Sequence, residues 1–318
     1  MQYRIAGLLS LLMSSLSLPV SAQTELSQLY SGTAHDAFYG LCVEGDKGTA
    51  VGNSGLIVES TDGGQNWTAV TAFTERALLD ISCGAGTKLI VAQQGGVFLE
   101  VDGSYKEIDS GTDARLMSVD GNSDGLTFVV GSFGTVLRSD DGGLNWESLT
   151  IDWEAILDDF VEPHLYDVTV SADGVVTAVG EFGLVIRSED GGETWDDVHI
   201  GAASLFGLRL AASGLGYAVG QDSQIIRTED GGLNWSSVPT PPGGILLNVW
   251  FSDSGDVLVS GIRSLLRSTD GGSTWTQVEK GDLVTGWYQG MVVNKRADST
   301  GLTALLAGHQ GNVVELNF

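Results

Sequence analysis

The sequence predicts an all-β chain: a seven-bladed β-propeller of four-stranded antiparallel blades, closed by an N-terminal strand that completes the last blade. Three observations carry this. An eight-residue box, Ser/Thr-x-Asp-Gly-Gly-x-Asn/Thr-Trp, recurs five times. A second element, apolar residues around a Gly-rich turn, recurs seven times. The composition, with 45 Gly, only 5 Pro and 42% hydrophobic residues in 318, is that of many short strands joined by tight turns.

The box occupies residues 60–67, 139–146, 188–195, 228–235 and 268–275. Its tryptophans fall 79, 49, 40 and 40 residues apart. The first interval spans two periods, with a decayed copy at 100–105 (EVDGSY). The second element begins at Thr49, Ile90, Phe128, Thr177, Tyr217, Leu258 and Leu305. Seven units over the 296 residues after Ala22 average about 42, the length of a four-stranded blade. Within a unit, 165–170 reads as the inner strand and 175–179 as the second. A turn at 180–183 leads to a third strand, 184–188. The box then turns the chain, and Trp195 opens a short outer strand. The last unit stops after its third strand at Phe318. Open sheet edges invite misassembly, so the unassigned stretch 25–31 is expected to supply the missing outer strand.

The box residues have local reasons to recur. Asp62, Asp141, Asp190, Asp230 and Asp270 can accept backbone N–H groups across the turn. The paired glycines permit positive φ. Trp67, Trp146, Trp195, Trp235 and Trp275 would bury against the neighbouring sheet and lock the hairpin. Identical copies suit a structural staple better than five calcium or sugar sites. Arg138, Arg187, Arg227 and Arg267 each precede a box by one residue. Their regularity suggests an inter-blade ion pair or hydrogen bond; a row facing a ligand is the other reading.

Charge excludes some partners. Lys and Arg total 15 against 41 Asp and Glu, a net charge of −26. Such a surface repels nucleic acid and anionic lipid head groups, and favours a monomer. Residues 1–22 read as a secretory signal peptide: Arg4, an apolar stretch, then Val20-Ser21-Ala22. The rest, 23–318, reads as one domain without stable membrane insertion, exported and placed in the periplasm or secreted. Cys42 and Cys83 could pair in that compartment or remain two buried thiols. Four scattered histidines, His35, His164, His199 and His309, show no metal spacing. No cofactor is implied.

Function is expected where the repeats differ. The turns between second and third strands share a face with the blade-to-blade links. Candidate partner-binding residues there are Arg76, Arg115, Phe133, Trp153, Phe160, His164, Phe182, Arg263, Trp287, Tyr288 and His309. One link, 147–163, is nine residues longer than the period and sets Trp153, Ile156, Leu157 and Phe160 at helical spacing. A short helix is expected there, either meeting a partner or capping the channel. Inner strands point Asp80, Ser118, Asp167 and Asn248 toward the channel, with Arg209 and Trp250 two residues further on. Paired carboxylates can do acid–base work or hold water.

The combined unit Ala-Val-Gly-x-x-Gly-x-Ile-x-Arg-Ser-x-Asp-Gly-Gly-x-x-Trp, clearest at 177–195 and 217–235, resembles the photosystem II stability/assembly factor family. The resemblance spans about 36–318. It implies a seven-bladed propeller of Asp-box (BNR-type) repeats and a non-catalytic scaffold role. Members bind newly made reaction-centre proteins, which implies a membrane or envelope protein partner here, met during assembly or as an accessory subunit, for instance of a transporter. The chain departs from photosynthetic members in lacking their arginine-rich patch. The boxes alone also resemble those of sialidases and xyloglucan-cleaving enzymes, so a glycoside hydrolase or carbohydrate-binding propeller is the alternative. The Phe/Tyr-Arg-Ile-Pro motif of sialidases is missing, and no nucleophile–base pair is readable.

Overall fold

The computed structural model describes residues 24–83, 87–295 and 301–318. Among these run seven four-stranded antiparallel sheets. Their inner strands are Phe38–Glu44, Leu78–Ser82, Leu116–Gly121, Leu165–Val170, Leu205–Leu210, Leu246–Phe251 and Tyr288–Lys295, which define blades 1 to 7. Each inner strand packs beside that of the next blade, and blade 7 beside blade 1, so the ring is closed. Blade 7 takes its fourth strand from the other end of the chain: Glu25–Tyr30 pairs antiparallel with Val313–Asn317, as the sequence predicts. The expected signal peptide lies outside the described residues.

The core is distributed. Buried apolar side chains form seven clusters among the described residues, one at each seam between neighbouring blades. A blade is covered on both faces, so successive residues are buried whichever face they point to. Second strands such as Val176–Gly180, Gly216–Gly220 and Val257–Gly261 are accordingly buried throughout.

The boxes act locally as staples. In blade 1, Asp62 Oδ1 accepts the Gln65 and Asn66 amides at 3.0 and 2.9 Å, and Asn66 Nδ2 donates to Asp62 Oδ2 at 2.7 Å. Ser60 Oγ accepts the Gly64 amide at 2.9 Å, and the Trp67 indole donates to the Gly64 carbonyl at 2.7 Å. Gly63 and Gly64 lie at φ 73° and 89°, a region that a side chain would strain. Each box tryptophan joins the cluster shared with the preceding blade. The decayed copy in blade 2 becomes a two-residue turn, Asp102-Gly103, with a longer outer strand, Ser104–Ile108.

The arginines before the boxes reach forward across the seams. Arg138 pairs with Glu193 at 2.9 Å, and Arg187 Nε donates to the Gly231 carbonyl at 3.1 Å. Arg227 Nε donates to the Tyr217 hydroxyl, which itself donates to the Gly271 carbonyl, both at 3.0 Å. Arg267 lies over the Phe318 ring. Cys42 and Cys83 are joined in a disulfide, Cα atoms 6.1 Å apart, which stitches blade 1 to blade 2.

The long link forms the short helix α1, Trp153–Leu157. Asp152 caps its start by accepting the Ala155 amide, and Asp158 ends it at φ 54°. The helix packs on the seam between blades 3 and 4 through Trp153, Ile156 and Leu157. No described helix is long and apolar enough to cross a membrane.

Candidate functional site

All seven inner strands carry a register shift at the same place, between the first and third residues. A β-bulge re-aims the side chain of its extra residue. Here the bulged residues are Tyr39, Leu79, Met117, Tyr166, Phe206, Leu247 and Gln289, one from each blade. All seven line one cavity of about 560 Å³. A cavity touched by every blade lies on the ring axis, so this is the mouth of the central channel. Six of the seven bulged residues are apolar or aromatic.

Sequence-predicted residues form part of the rim. Phe133 is 69% exposed although its φ is 54°, a conformation that bulky side chains rarely adopt. Its amide donates to His164 Nδ1 at 3.0 Å, and its ring meets the His164 ring edge-on at 4.9 Å. His164 leads to Tyr166, and Tyr166 packs edge-on against Phe206 at 4.9 Å. In blade 1 Tyr39 stacks on Trp287, centroids 5.8 Å apart. The aromatic rings therefore form an arc with a second group opposite.

Arg115 is the charged group of this concavity. Among the described residues its guanidinium forms no ion pair, in a chain with 41 acidic side chains. Burial, then the Glu181 charge, raise the Tyr166 phenol; nearby Arg115 opposes this, and the phenol stays neutral. A free cation beside stacked apolar rings can take a carboxylate or carbonyl oxygen while the rings hold a neighbouring apolar group.

Other predicted residues lie elsewhere. Trp153 is only 8% exposed and packs in the core, which corrects the expectation of a surface contact: its indole fills the space above Gly134, where a side chain would collide with it. Tyr288 is likewise buried; its hydroxyl donates to Asp282 Oδ2 at 2.8 Å. The same oxygen lies 3.0 Å from His309 Nε2 and accepts from Asn312 Nδ2, so His309 belongs to a closed polar cluster. Arg76 pairs with Glu107 at 2.6 Å and lies over Phe98. Phe182 and Arg263 occupy, at φ 59° and 56°, turns like that of Phe133, but do not line the mouth. Arg263 borders a separate cavity between blades 5 and 6. Phe160 is 87% exposed beyond α1.

Sequence reasoning missed the mouth ring itself. The signal was an apolar residue directly after the buried residue that opens the inner strand in six of the seven blades. Strict alternation would send that residue to the opposite sheet face; only the bulge turns it toward the axis.

One residue beyond the bulge, Asp80, Ser118, Asp167 and Asn248 form a polar layer. Ser118 Oγ lies 2.9 Å from Asp80 Oδ2 and 2.8 Å from Asp167 Oδ1. Asp80 also accepts the Ile81 and Val119 amides, and Asp167 the Val168 and Leu208 amides. Each carboxylate thus bridges its own blade to a neighbour. Asn248 Nδ2 donates to the Gln289 carbonyl across the next seam. A hydroxyl has one proton, so it cannot donate to both carboxylates at once. One added proton completes the chain. Burial, and then the Asp80 charge, raise Asp167 to about 7, and burial raises Asp80. Further along, burial raises Asp120 to about 6, and its charge acts on Arg209. Trp250, expected to point into the channel, packs in the seam between blades 6 and 7. Among the described residues no group of three or more His, Cys, Asp or Glu could hold a metal ion.

The family model described as photosynthesis system II assembly factor YCF48 matches residues 97–207. No curated protein sequence matches the chain. Among solved structures, YCF48 bound to D1 peptide superposes with TM-score 0.69 and 19% identity, covering 92% of this chain and 96% of that one. YCF48 from Cyanidioschyzon merolae gives 0.70 and 17%, covering 91% and 98%. The GH74 xyloglucanase from Xanthomonas campestris gives 0.69 and 15%; it covers 91% of this chain, which matches 53% of the enzyme's length. The repeat, the closed ring and the match over 97–207 make this chain a seven-bladed Asp-box propeller similar to the photosystem II assembly factors.

Proposed function

We propose that this chain is an exported, non-catalytic scaffold whose channel mouth holds a peptide segment of a membrane or envelope protein. The observation that carries the reading is the mouth itself: an arginine with no ion pair among the described residues, beside a ring of side chains that a bulge in each blade turns inward, three of them aromatic. The similarity to YCF48 bound to D1 peptide supports a peptide ligand. The Cys42–Cys83 disulfide and the signal-like residues 1–22 support export. The channel carboxylates speak against glycosidase chemistry, because backbone amides and Ser118 occupy them. Whether the scaffold serves assembly or stays as an accessory subunit depends on the partner.

The test is affinity capture from the host envelope with wild type and an Arg115→Ala/Phe206→Ala variant. The expected result is a membrane protein retained by wild type and lost by the variant. Equal retention would move the site away from the mouth. Release of reducing sugar from xyloglucan or other β-glucans by the purified protein would replace the scaffold reading with the hydrolase one.

A further inference from the structure

Beside the mouth lies a second concavity that the peptide-binding reading does not use. It runs between the Phe133 turn and the long link, with a volume of about 790 Å³. Its apolar lining comes from Phe133, Ile151, Val161 and Phe160, above the buried indole of Trp153. Phe133 and Phe160 are the most exposed large apolar side chains among the described residues, at 69% and 87%. Two aromatic rings left in water on one groove are characteristic of an interaction surface rather than of a finished fold.

The rim specifies the partner. Asp152, Glu154 and Glu162 line the groove, and Asp158 and Asp159 lie between them in sequence, all exposed. None forms an ion pair with a described residue. The chain carries no Lys or Arg from Ser139 to Ile186. The carboxylates of 152–162 therefore have no cation of their own stretch to neutralise them, whereas the arginines before the boxes are spent on the seams. This link is also the one that exceeds the repeat length, so the blade does not need it for closure.

We infer that the groove docks a basic, aromatic- or aliphatic-anchored segment of a protein partner. Its apolar side chain would enter between Phe133 and Phe160 while flanking Lys or Arg meet the acidic rim. The inference rests on the proposed scaffold role but names a different surface and chemistry: the mouth offers an arginine, the groove only carboxylates. The two sites share Phe133, so one extended segment could engage both in turn.

The experiment uses full-length mature protein and three fluorescent synthetic peptides: Lys residues around a Phe pair, the same with Glu for Lys, and the same with Ser for Phe. Binding is read by fluorescence anisotropy at low and high salt. The expected result is that only the Lys/Phe peptide binds, weakening with salt. Phe160→Ser and Glu154→Lys/Glu162→Lys should each weaken it by about tenfold or more. Lys47→Ala, exposed at the start of its strand in blade 1, should leave it unchanged. Equal binding of the Glu peptide, indifference to both groove variants, or no peptide binding would each overturn the inference. The scaffold reading would survive any of these if Arg115→Ala/Phe206→Ala still abolished capture of the host partner; conversely, groove binding with no capture difference would remove the mouth reading alone.

Discussion

The Asp80–Ser118–Asp167 chain makes a specific demand on how stability varies with pH. The perturbation is a pH change from 5 to 8. In the folded ring Asp167 titrates near 7 and Asp120 near 6, each raised chiefly by burial. In the unfolded chain both return to about 4. A group whose folded value is raised holds its proton more tightly in the native state. Stability from it is full below pH 4, falls as pH rises through the window from 4 to the folded value, and is flat above it. Moving a carboxyl from about 4 to about 7 corresponds to up to about 4 kcal/mol, and to about 6 up to about 3 kcal/mol. The Asp-box carboxylates act with the opposite sign. Side-chain and backbone hydrogen bonds hold Asp62, Asp141, Asp190, Asp230 and Asp270 at about 2. Their contribution is present above pH 4 and is lost on falling toward 2. Maximum stability is therefore expected near pH 4 to 5, with a decline of several kcal/mol toward pH 8. Urea unfolding at each pH in high salt is the assay, because salt screens general surface repulsion but not an enclosed pair. Asp80→Asn removes the charge that adds to burial in raising Asp167 and should make the slope between pH 5 and 8 shallower without abolishing it. A wild-type stability that is level or rising over that range in high salt would refute the proton-sharing argument.

Three further outcomes follow from the packing. Trp153→Ala should cost about 3–5 kcal/mol in urea unfolding, whereas Phe160→Ala should change stability by less than about 0.5 kcal/mol. Similar losses in both would contradict the placement of the two rings. Deleting 24–31 should lower Tm by roughly 10 °C and promote self-association, read by calorimetry and light scattering, because the Val313–Asn317 edge is left unpaired. The oxidised, denatured protein should show no free thiol on titration. Replacing both Cys42 and Cys83 by Ala should cost up to about 4 kcal/mol, given their separation of 41 residues.

Much of the architecture was legible because a propeller repeats local instructions. The Asp-Gly-Gly turn, the apolar runs and the Gly-rich hairpins each act within a few residues. Their spacing therefore announced seven blades, the strand order and the N-terminal closure. The candidate site was legible only in part. Arg115, Phe133 and His164 stood out as departures from the repeat and do meet at the mouth. Tyr166 and Phe206, by contrast, occupy repeat positions that look like ordinary strand residues.

What the sequence alone determined is the periodic frame and the acidic, arginine-poor character of the long link, since these are properties of residue order and count. What only the tertiary structure decided is which side chains face the axis. A bulge of one residue rotates a side chain from a seam into the channel without altering the apolar pattern. Helical spacing in the link likewise put Trp153 and Phe160 on one helical face. The five-residue length of α1, ended at Asp158, sends one ring into the seam between blades 3 and 4 and leaves the other in water.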